Sequence, residues 1–581
     1  MPNNAGRGLP RPAGSDPPPP DLAQPDLAQP DLAHPDQARS GLAWDGAASI
    51  VRGAAIVAGF TMASRLLGLI RTLVFSQTIG ASCLGSAYVT ANQVPNLIYE
   101  LVLGGALTSA MVPVLARPAE RAARDPAERA GVSQISSALL TWSVIILVPL
   151  TAGIAAAARP IAALLNPVNA NAHCVHADVV NATGNMLVVF APQALLYGLS
   201  VVLYGLLQAY RRFTAPSVGP AISSLVVIAA YLAFVPLAKG LPLARLPLRA
   251  ELVLSVGTTL GVAALVVVAV VPTWRLRLRI RPTLRLPPGI ARRAGGLAIV
   301  GVIDLIVSDL SSVVAITLAN GHGQTGAIVL YNYAWQAYTS VFGVLAMSII
   351  ISTFPVLAAR AGPVFDRTCA GSTRAVLLMS WLGTAVIAAV AVPAAHVLAR
   401  QPDQVSQLIA AFALFAPGVA GIALISNLTR AMFAIGRLKV AAAALAGSWL
   451  LVIAADLVLV ELAPARLTVA ALALGTTIGQ TVVAVPLVFA TRRICGPAAM
   501  AGTGRASLAA LAAGAAGAAV GVAVSLAVPL TGRLLAVALA ALAAMAAVLV
   551  FAAVAYLLDP TDTRPALLRA ARLTRLPRRR T

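Results

Sequence analysis

Two arginines six residues apart sit inside an otherwise apolar run, Ser64-Arg65-Leu66-Leu67-Gly68-Leu69-Ile70-Arg71. A charge at the centre of a membrane-spanning helix costs roughly 2.5–3.5 kcal/mol on insertion scales, so it should face water or a partner. At 3.6 residues per turn Arg65 and Arg71 lie about 120° apart and can line one wide cavity without stacking. Guanidinium forks match phosphate oxygens in pairs, so a phosphate-bearing substrate, and a diphosphate above all, suits such a site. The plainer reading is that Arg71 reaches an interface, or that either arginine pairs structurally.

Intramembrane acids form a second constellation. Asp304 and Asp309 in the seventh apolar run and Asp456 in the eleventh are costly in lipid and should face protein or water. Asp309 is about 140° around the helix from Asp304, so the two need not serve one site. Structural pairing or helix capping is the competing account. Histidine offers little: His173 and His176 fall in an outer loop and His396 near a helix end, which gives no relay through the membrane. Cys83, Cys174, Cys369 and Cys495 lack zinc-site spacing, so no metal site is expected. Cys83 and Cys174 fall in the first and second outer loops, where a disulfide is conceivable and free thiols are the alternative; Cys369 and Cys495 are cytoplasmic. No G-x-x-x-x-G-K-[ST] loop for ATP and no catalytic set is present, so no enzyme is expected.

The elements that must carry these residues are membrane helices. Of 581 residues 59% are hydrophobic and 11% charged, and the mean hydropathy is +0.86, a balance that makes lipid the solvent. The net charge of +22 falls between apolar runs, where it reads as a topology signal and not as a nucleic-acid surface. Lys239 and Lys439 are the only lysines, so arginine at any one position says little about selection for a guanidinium.

Residues 1–45 carry a tandem P-D-L-A-Q repeat and read as a disordered cytoplasmic tail. Beyond it, fourteen runs of about 20 residues or more are long enough to span a bilayer: 50–79, 84–116, 132–158, 180–209, 215–237, 249–272, 290–319, 326–358, 373–398, 405–435, 438–462, 466–490, 506–529 and 532–558. The second, with Pro95, Gly104, Gly105 and Pro113, should be kinked or partly unwound. Arginines gather after even-numbered runs, as at Arg117 to Arg129, Arg211 and Arg212, Arg360 to Arg374, and Arg492 to Arg505. Loops after odd-numbered runs are nearly empty of positive charge apart from Lys239, Arg245 and Arg249, so both termini are expected in the cytoplasm. The basic segment 559–581 then reads as a topology anchor on the anionic inner leaflet.

Two short matches suggest a duplication with a six-helix period. Val112-Pro113-Val114-Leu115-Ala116-Arg117 resembles Phe354-Pro355-Val356-Leu357-Ala358-Ala359-Arg360, and Gln208-Ala209-Tyr210-Arg211-Arg212-Phe213 resembles Met432-Phe433-Ala434-Ile435-Gly436-Arg437. The expected organisation is therefore all-α and polytopic: an N-terminal lobe over 46–285, a C-terminal lobe over 286–495, and two further helices over 496–558.

Three stretches, in order, carry a family resemblance: S-R-L-L-G-L-I-R, then Val94-Pro95-Asn96-Leu97-Ile98-Tyr99-Glu100-Leu101, then Gly104-Gly105-Ala106-Leu107-Thr108-Ser109-Ala110-Met111-Val112-Pro113-Val114-Leu115. With Tyr331-Asn332-Tyr333-Ala334-Trp335-Gln336 and Thr353-Phe354-Pro355 further on, the chain resembles the MurJ/MviN lipid II flippase family over roughly residues 50–558. That resemblance implies the MOP exporter fold and transfer of lipid II, an undecaprenyl-diphosphate-linked precursor of peptidoglycan, from the inner to the outer leaflet of the cytoplasmic membrane. It implies Arg65, Arg71, Asn96, Glu100 and Gln336 as substrate-facing residues and a lipid-tail groove in the last two helices. Energy would come from the membrane potential or a coupled sodium ion, for which Asp304, Asp456, Thr476 and Thr477 offer hard oxygens; no other cofactor is implied.

The departures from the family pattern are specific. Many members carry an arginine pair where this chain has Tyr99 and Glu100, an acid where it has Thr72, and an Asp-Arg pair where it has Trp335-Gln336. Either the diphosphate is held with fewer arginines or the substrate differs. Glu100 is expected to pair with Arg65 or Arg71, as a gate latch or as simple neutralisation. Export of another lipid-linked glycan or drug, or a non-transporting scaffold for cell-wall assembly or division proteins, are the alternatives.

Overall fold

A computed structural model describes residues 43–100, 129–210, 212–276, 281–284 and 290–564, and the tertiary structure is that of the compact unit beginning at Val57. Among the described residues every regular element is helical. The chain runs through α1 (Ala43–Thr78), α2 (Cys83–Tyr99), α3 (Arg129–Ala156), α4 (Ala158–Leu165), α5 (His176–Phe190), α6 (Pro192–Ala209), α7 (Thr214–Ala238), α8 (Leu248–Trp274) and α9 (Ile290–His322). It continues with α10 (Ala327–Val341), a π turn (Phe342–Ala346), α11 (Met347–Ala359), α12 (Pro363–Leu398), α13 (Pro402–Phe415), α14 (Gly418–Ala434), α15 (Leu438–Leu462), α16 (Thr468–Cys495), α17 (Thr503–Leu526) and α18 (Arg533–Leu558).

Twelve stretches of the described residues are long and apolar enough to cross a bilayer. Before them, α1 and α2 hold the first two expected runs, the second described only to Glu100. The protein is an all-α multi-pass membrane protein. The expected tail lies outside the described residues up to 42, as do Gly104, Gly105, Pro113, the Val112–Arg117 half of the first repeat match and most of the C-terminal anchor.

Several runs are broken helices, and two of the breaks are equivalent. The fourth run divides at Ala191-Pro192 into α5 and α6, and the tenth at Ala416-Pro417 into α13 and α14. Proline has no N–H to donate, so the i to i−4 ladder is interrupted at both places. The flanking sequences are Phe190-Ala191-Pro192 and Phe415-Ala416-Pro417, offset by 417 − 192 = 225 residues. The ends of these runs keep the same offset: the Arg212 amide donates to the Leu207 carbonyl at 2.8 Å and the Arg437 amide to the Met432 carbonyl at 2.9 Å, with 437 − 212 = 225. The repeat is thus expressed as repeated backbone geometry in two lobes.

Small residues let the last two helices approach closely. Gly514, Gly517 and Gly521 of α17 face Trp381, Ala385 and Ala389 of α12, and Gly517 and Gly521 also meet the α18 backbone at Ala547 and Ala543. In lipid, such close backbone approach supplies packing energy that the hydrophobic effect does not.

The lobes are joined at the end where α1 turns into α2. Gln77 donates through Nε2 to the Val397 carbonyl at 2.7 Å, Gln404 to the Ala81 carbonyl at 2.9 Å, and Asn320 to Thr90 Oγ1 at 2.9 Å. Asn169 donates to the carbonyls of Asn320 and Gly323 at 2.7 and 2.8 Å. Cys83 and Cys174 form a disulfide, their Cα atoms 5.8 Å apart, which ties the α1–α2 turn to the α4–α5 loop. Among the described residues the lobe-to-lobe hydrogen bond furthest from this end is that between Thr72 and Gln336.

Candidate functional site

Beneath the joined end lies a cavity of about 220 Å³ between the lobes. Helix α1 contributes Arg71, Thr72 and Phe75, α2 contributes Tyr88, Asn92, Gln93 and Asn96, and α10 contributes Asn332, Tyr333 and Gln336. Tyr197, Ser223, Tyr231 and Thr258 complete its polar wall. Arg71 is the single charged residue of that lining.

The wall is partly wired together and partly left open. The Tyr88 hydroxyl lies 2.9 Å from the Tyr231 hydroxyl and 2.8 Å from Thr258 Oγ1. Asn96 Nδ2 donates to the Asn92 carbonyl at 3.0 Å. Asn92 Oδ1 and the Tyr333 hydroxyl are buried without a partner. A buried polar atom left unpaired costs about 1–3 kcal/mol, so these groups are poised to bond something that enters.

Of the five residues read from the sequence as substrate-facing, Arg71, Asn96 and Gln336 meet in this cavity. Arg65 is exposed, nearly two turns away along α1, and Glu100 is exposed just past α2; neither lines the cavity. The expected pairing of Glu100 with Arg65 or Arg71 is not found among the ion pairs of the described residues, which are His322–Glu461, Arg374–Asp562 and Arg505–Asp559. The α2 helix carries Glu100 past the cavity instead of turning it inward.

A sequence model of the family described as lipid II flippase MurJ matches residues 75–538. The chain belongs to that family. Relatives include the lipid II flippase MurJ of Burkholderia cenocepacia, 29% identical over 31% of this chain and 34% of that protein. The probable lipid II flippases MurJ of Rhizobium tropici and a Synechocystis strain are 27% and 30% identical, over 53% and 41% of this chain and 55% and 43% of those proteins. The matched stretches thus span about a third to just over half of these relatives' lengths. A solved lipid II flippase MurJ in an inward-closed conformation shares the fold with a TM-score of 0.66 and 17% identity over 86% of this chain and 98% of that one. An inward-facing MATE multidrug transporter of the MOP superfamily does so with 0.59 and 14% over 74% and 94%.

Thr72 and Gln336, two of the positions singled out in the sequence, meet across the cavity: Thr72 Oγ1 donates to Gln336 Oε1 at 2.8 Å. A neutral hydrogen bond thus joins facing helices beside Arg71, and among the described residues the cavity lining carries no acid.

The four residues read as an ion set are not gathered at one point. Asp304 accepts a hydrogen bond from Trp449 Nε1 at 3.2 Å, two turns before Asp456 on α15. Thr477 Oγ1 is turned away, donating to the Leu414 carbonyl at 2.6 Å. Asp456 is 1% exposed, with neither carboxylate oxygen bonded, and Gly475 leaves it room, since a Cβ there would collide with the carboxylate. Thr476 Oγ1 donates to the Leu472 carbonyl of its own helix at 3.1 Å. Of the four, Asp456 is the acid that is buried with both oxygens unbonded.

A second hollow, about 490 Å³, lies along α17 and the end of α18, lined by Leu508, Leu511, Leu558 and alanines with Arg505 at its rim. Of the neutral cavity residues the sequence reading named Asn96 and Gln336 and missed Tyr88, Asn92, Gln93 and Tyr333, although in α2 Tyr88, Asn92, Gln93 and Asn96 form a polar stripe at helical spacing in an apolar run.

Proposed function

We propose that this protein carries lipid II, or a closely related undecaprenyl-diphosphate-linked precursor, from the inner to the outer leaflet of the cytoplasmic membrane by alternating access of its two lobes. The observation that carries this reading is the inter-lobe cavity with a single fixed positive charge, Arg71, in a wall of amides and hydroxyls. Arg71 suits the diphosphate bidentately, and the neutral groups suit sugar hydroxyls and peptide amides, each net hydrogen bond contributing roughly 0.5–1.5 kcal/mol. No bond is made or broken, so binding and release through lobe movement are the whole reaction. The arginine asymmetry between loops supports a cytoplasmic position for both termini.

The apolar hollow beside Arg505 suits part of an isoprenoid tail. Energy comes from the membrane potential or a coupled sodium ion; the unpaired, buried Asp456 offers carboxylate oxygens of the kind a hard cation takes. Replacing Arg71 by alanine abolishes growth of a strain depleted of its own flippase, whereas Arg65→Ala, outside the cavity, retains part of it. Full growth with Arg71→Ala refutes the diphosphate site. Export of a different lipid-linked glycan remains the second reading, favoured by the neutral residues at Tyr99, Thr72 and Gln336.

A further inference from the structure

Asp309 is a buried acid with no part in either the cavity or the Asp456 group. It sits in the middle of α9, 9% exposed, and neither of its carboxylate oxygens has a hydrogen-bond partner. A carboxylate buried in a membrane helix without hydrogen bonds is stable only if it holds a proton or a cation.

The groups that act on Asp309 electrostatically are Glu100 and Asp304. Asp304 is on the same helix and already accepts the Trp449 indole N–H. Glu100 comes from the other lobe. Helices α2 and α9 run antiparallel and are pinned at the joined end by the bond between Asn320 and Thr90. From that bond Glu100 is ten residues along α2, about 15 Å at 1.5 Å per residue, and Asp309 is eleven residues along α9, about 16.5 Å. The two carboxylates therefore sit at matched depth. Eleven residues also return the helix to within about 20° of the same face, so Asp309 shares the face of α9 that Asn320 turns toward α2. Glu100 is exposed, and neither acid has an ion-pair partner among the described residues.

We propose that Glu100 and Asp309 form an inter-lobe carboxylate pair that binds one proton when the lobes close at the arginine-rich end. With both groups ionised, closure drives like charges together in a low dielectric and is opposed. One proton, taken from water at Glu100, turns the pair into an O–H to carboxylate hydrogen bond across the lobes and permits closure; reopening returns the proton to water. Acid thus shifts the lobes toward the closed arrangement.

This rests on the proposed two-lobe movement but not on its substrate, so the test uses full-length protein without lipid II. Nitroxide labels at Phe213→Cys and Ile435→Cys, in a Cys369→Ser/Cys495→Ser background, report the separation of the arginine-rich ends in phospholipid vesicles. From about pH 8 to about pH 5 the ratio of long to short distances should fall about tenfold, the change produced when closure raises proton affinity by about one pH unit. Asp309→Asn and, independently, the exposed Glu100→Gln should each remove that pH dependence, while Asp304→Asn keeps it. A distance ratio independent of pH in the unsubstituted pair, or a full shift retained in both Asp309→Asn and Glu100→Gln, overturns the proposal. Loss of the shift in Asp304→Asn alone overturns it as well.

Discussion

Thr72 on α1 donates to Gln336 Oε1 on α10 at 2.8 Å, joining the two lobes beside the one arginine of the cavity. Thr72 Oγ1 also lies 3.2 Å from the Gly68 carbonyl, so its hydroxyl is held against its own helix while it reaches the other. The first prediction tests whether these two positions act as one unit. Thr72→Asp alone places an acid beside Arg71 and should lower transport, and Gln336→Arg alone crowds a second cation against it and should do the same. The double variant builds an ion pair across the lobes and should recover most of the activity, a coupling of about 1–3 kcal/mol in a double-mutant cycle of translocation rates. Additive losses would show that the two positions do not act together.

Gly475 leaves the space that Asp456 occupies. Gly475→Ala should displace the carboxylate, destabilising the protein by about 1–3 kcal/mol and removing any sodium-dependent rise in Tm. Retention of a sodium-dependent Tm in this variant would argue against Asp456 as the cation ligand.

The disulfide between Cys83 and Cys174 closes a long loop, the two residues being 91 apart in sequence. Cross-links of this kind typically stabilise by about 2–4 kcal/mol. Reduction, or Cys83→Ser with Cys174→Ser, should lower Tm in detergent, with the loss confined to protein purified under oxidising conditions. An unchanged Tm would mean the α1–α2 turn is held by Gln404 and Asn320 without help.

Beyond the last helix, Asp559 bonds Arg505 and Thr561, and Asp562 pairs with Arg374 at 2.7 Å. Burial pushes the Asp559 carboxyl up, but hydrogen bonds from Thr561 and Arg505 and the arginine charge outweigh it and hold the group below the ordinary aspartate value. A depressed folded-state pKa contributes stability that is fully present above the unfolded value, about 3.9, and lost as pH falls through the folded value. Tm of the unsubstituted protein should therefore carry no Asp559 contribution to its pH dependence above about pH 5 and should fall in stronger acid. Asp559→Asn should be less stable at neutral pH and lose that part of the acid-induced fall, which a Tm series against pH measures.

Much of the fold was legible because the solvent is lipid. Apolar runs of spanning length are long-range patterns that survive single-residue noise, and the helices fall where those runs do. The repeat was visible in part at Arg212 and Arg437, but its sharper mark, the shared Phe-Ala-Pro at 190 and 415, was passed over because three residues carry little information until both are seen to break a helix. The site was less legible. Arg71 stood out because a charge in an apolar helix is expensive, whereas Asn92, Gln93 and Tyr333 are cheap enough to pass as ordinary packing. Reading Thr72 with Gln336 needed contact across 264 residues, which no local pattern encodes. Grouping Asp304 and Thr477 with Asp456 failed for a related reason, since residue type does not reveal that Trp449 and the Leu414 carbonyl already engage them.

Whether the Arg71 cavity carries a lipid-linked diphosphate is tested most directly by translocation of fluorescent lipid II in proteoliposomes. The unsubstituted protein is compared with Arg71→Ala and with Asn92→Ala, all checked for equal reconstitution. Protein-dependent transfer should fall at least about tenfold for Arg71→Ala, as expected for loss of a charge-assisted bidentate contact of roughly 1.5–3 kcal/mol, and by a smaller factor for Asn92→Ala. Transfer by Arg71→Ala at the unsubstituted rate would contradict the assignment of the diphosphate to this cavity.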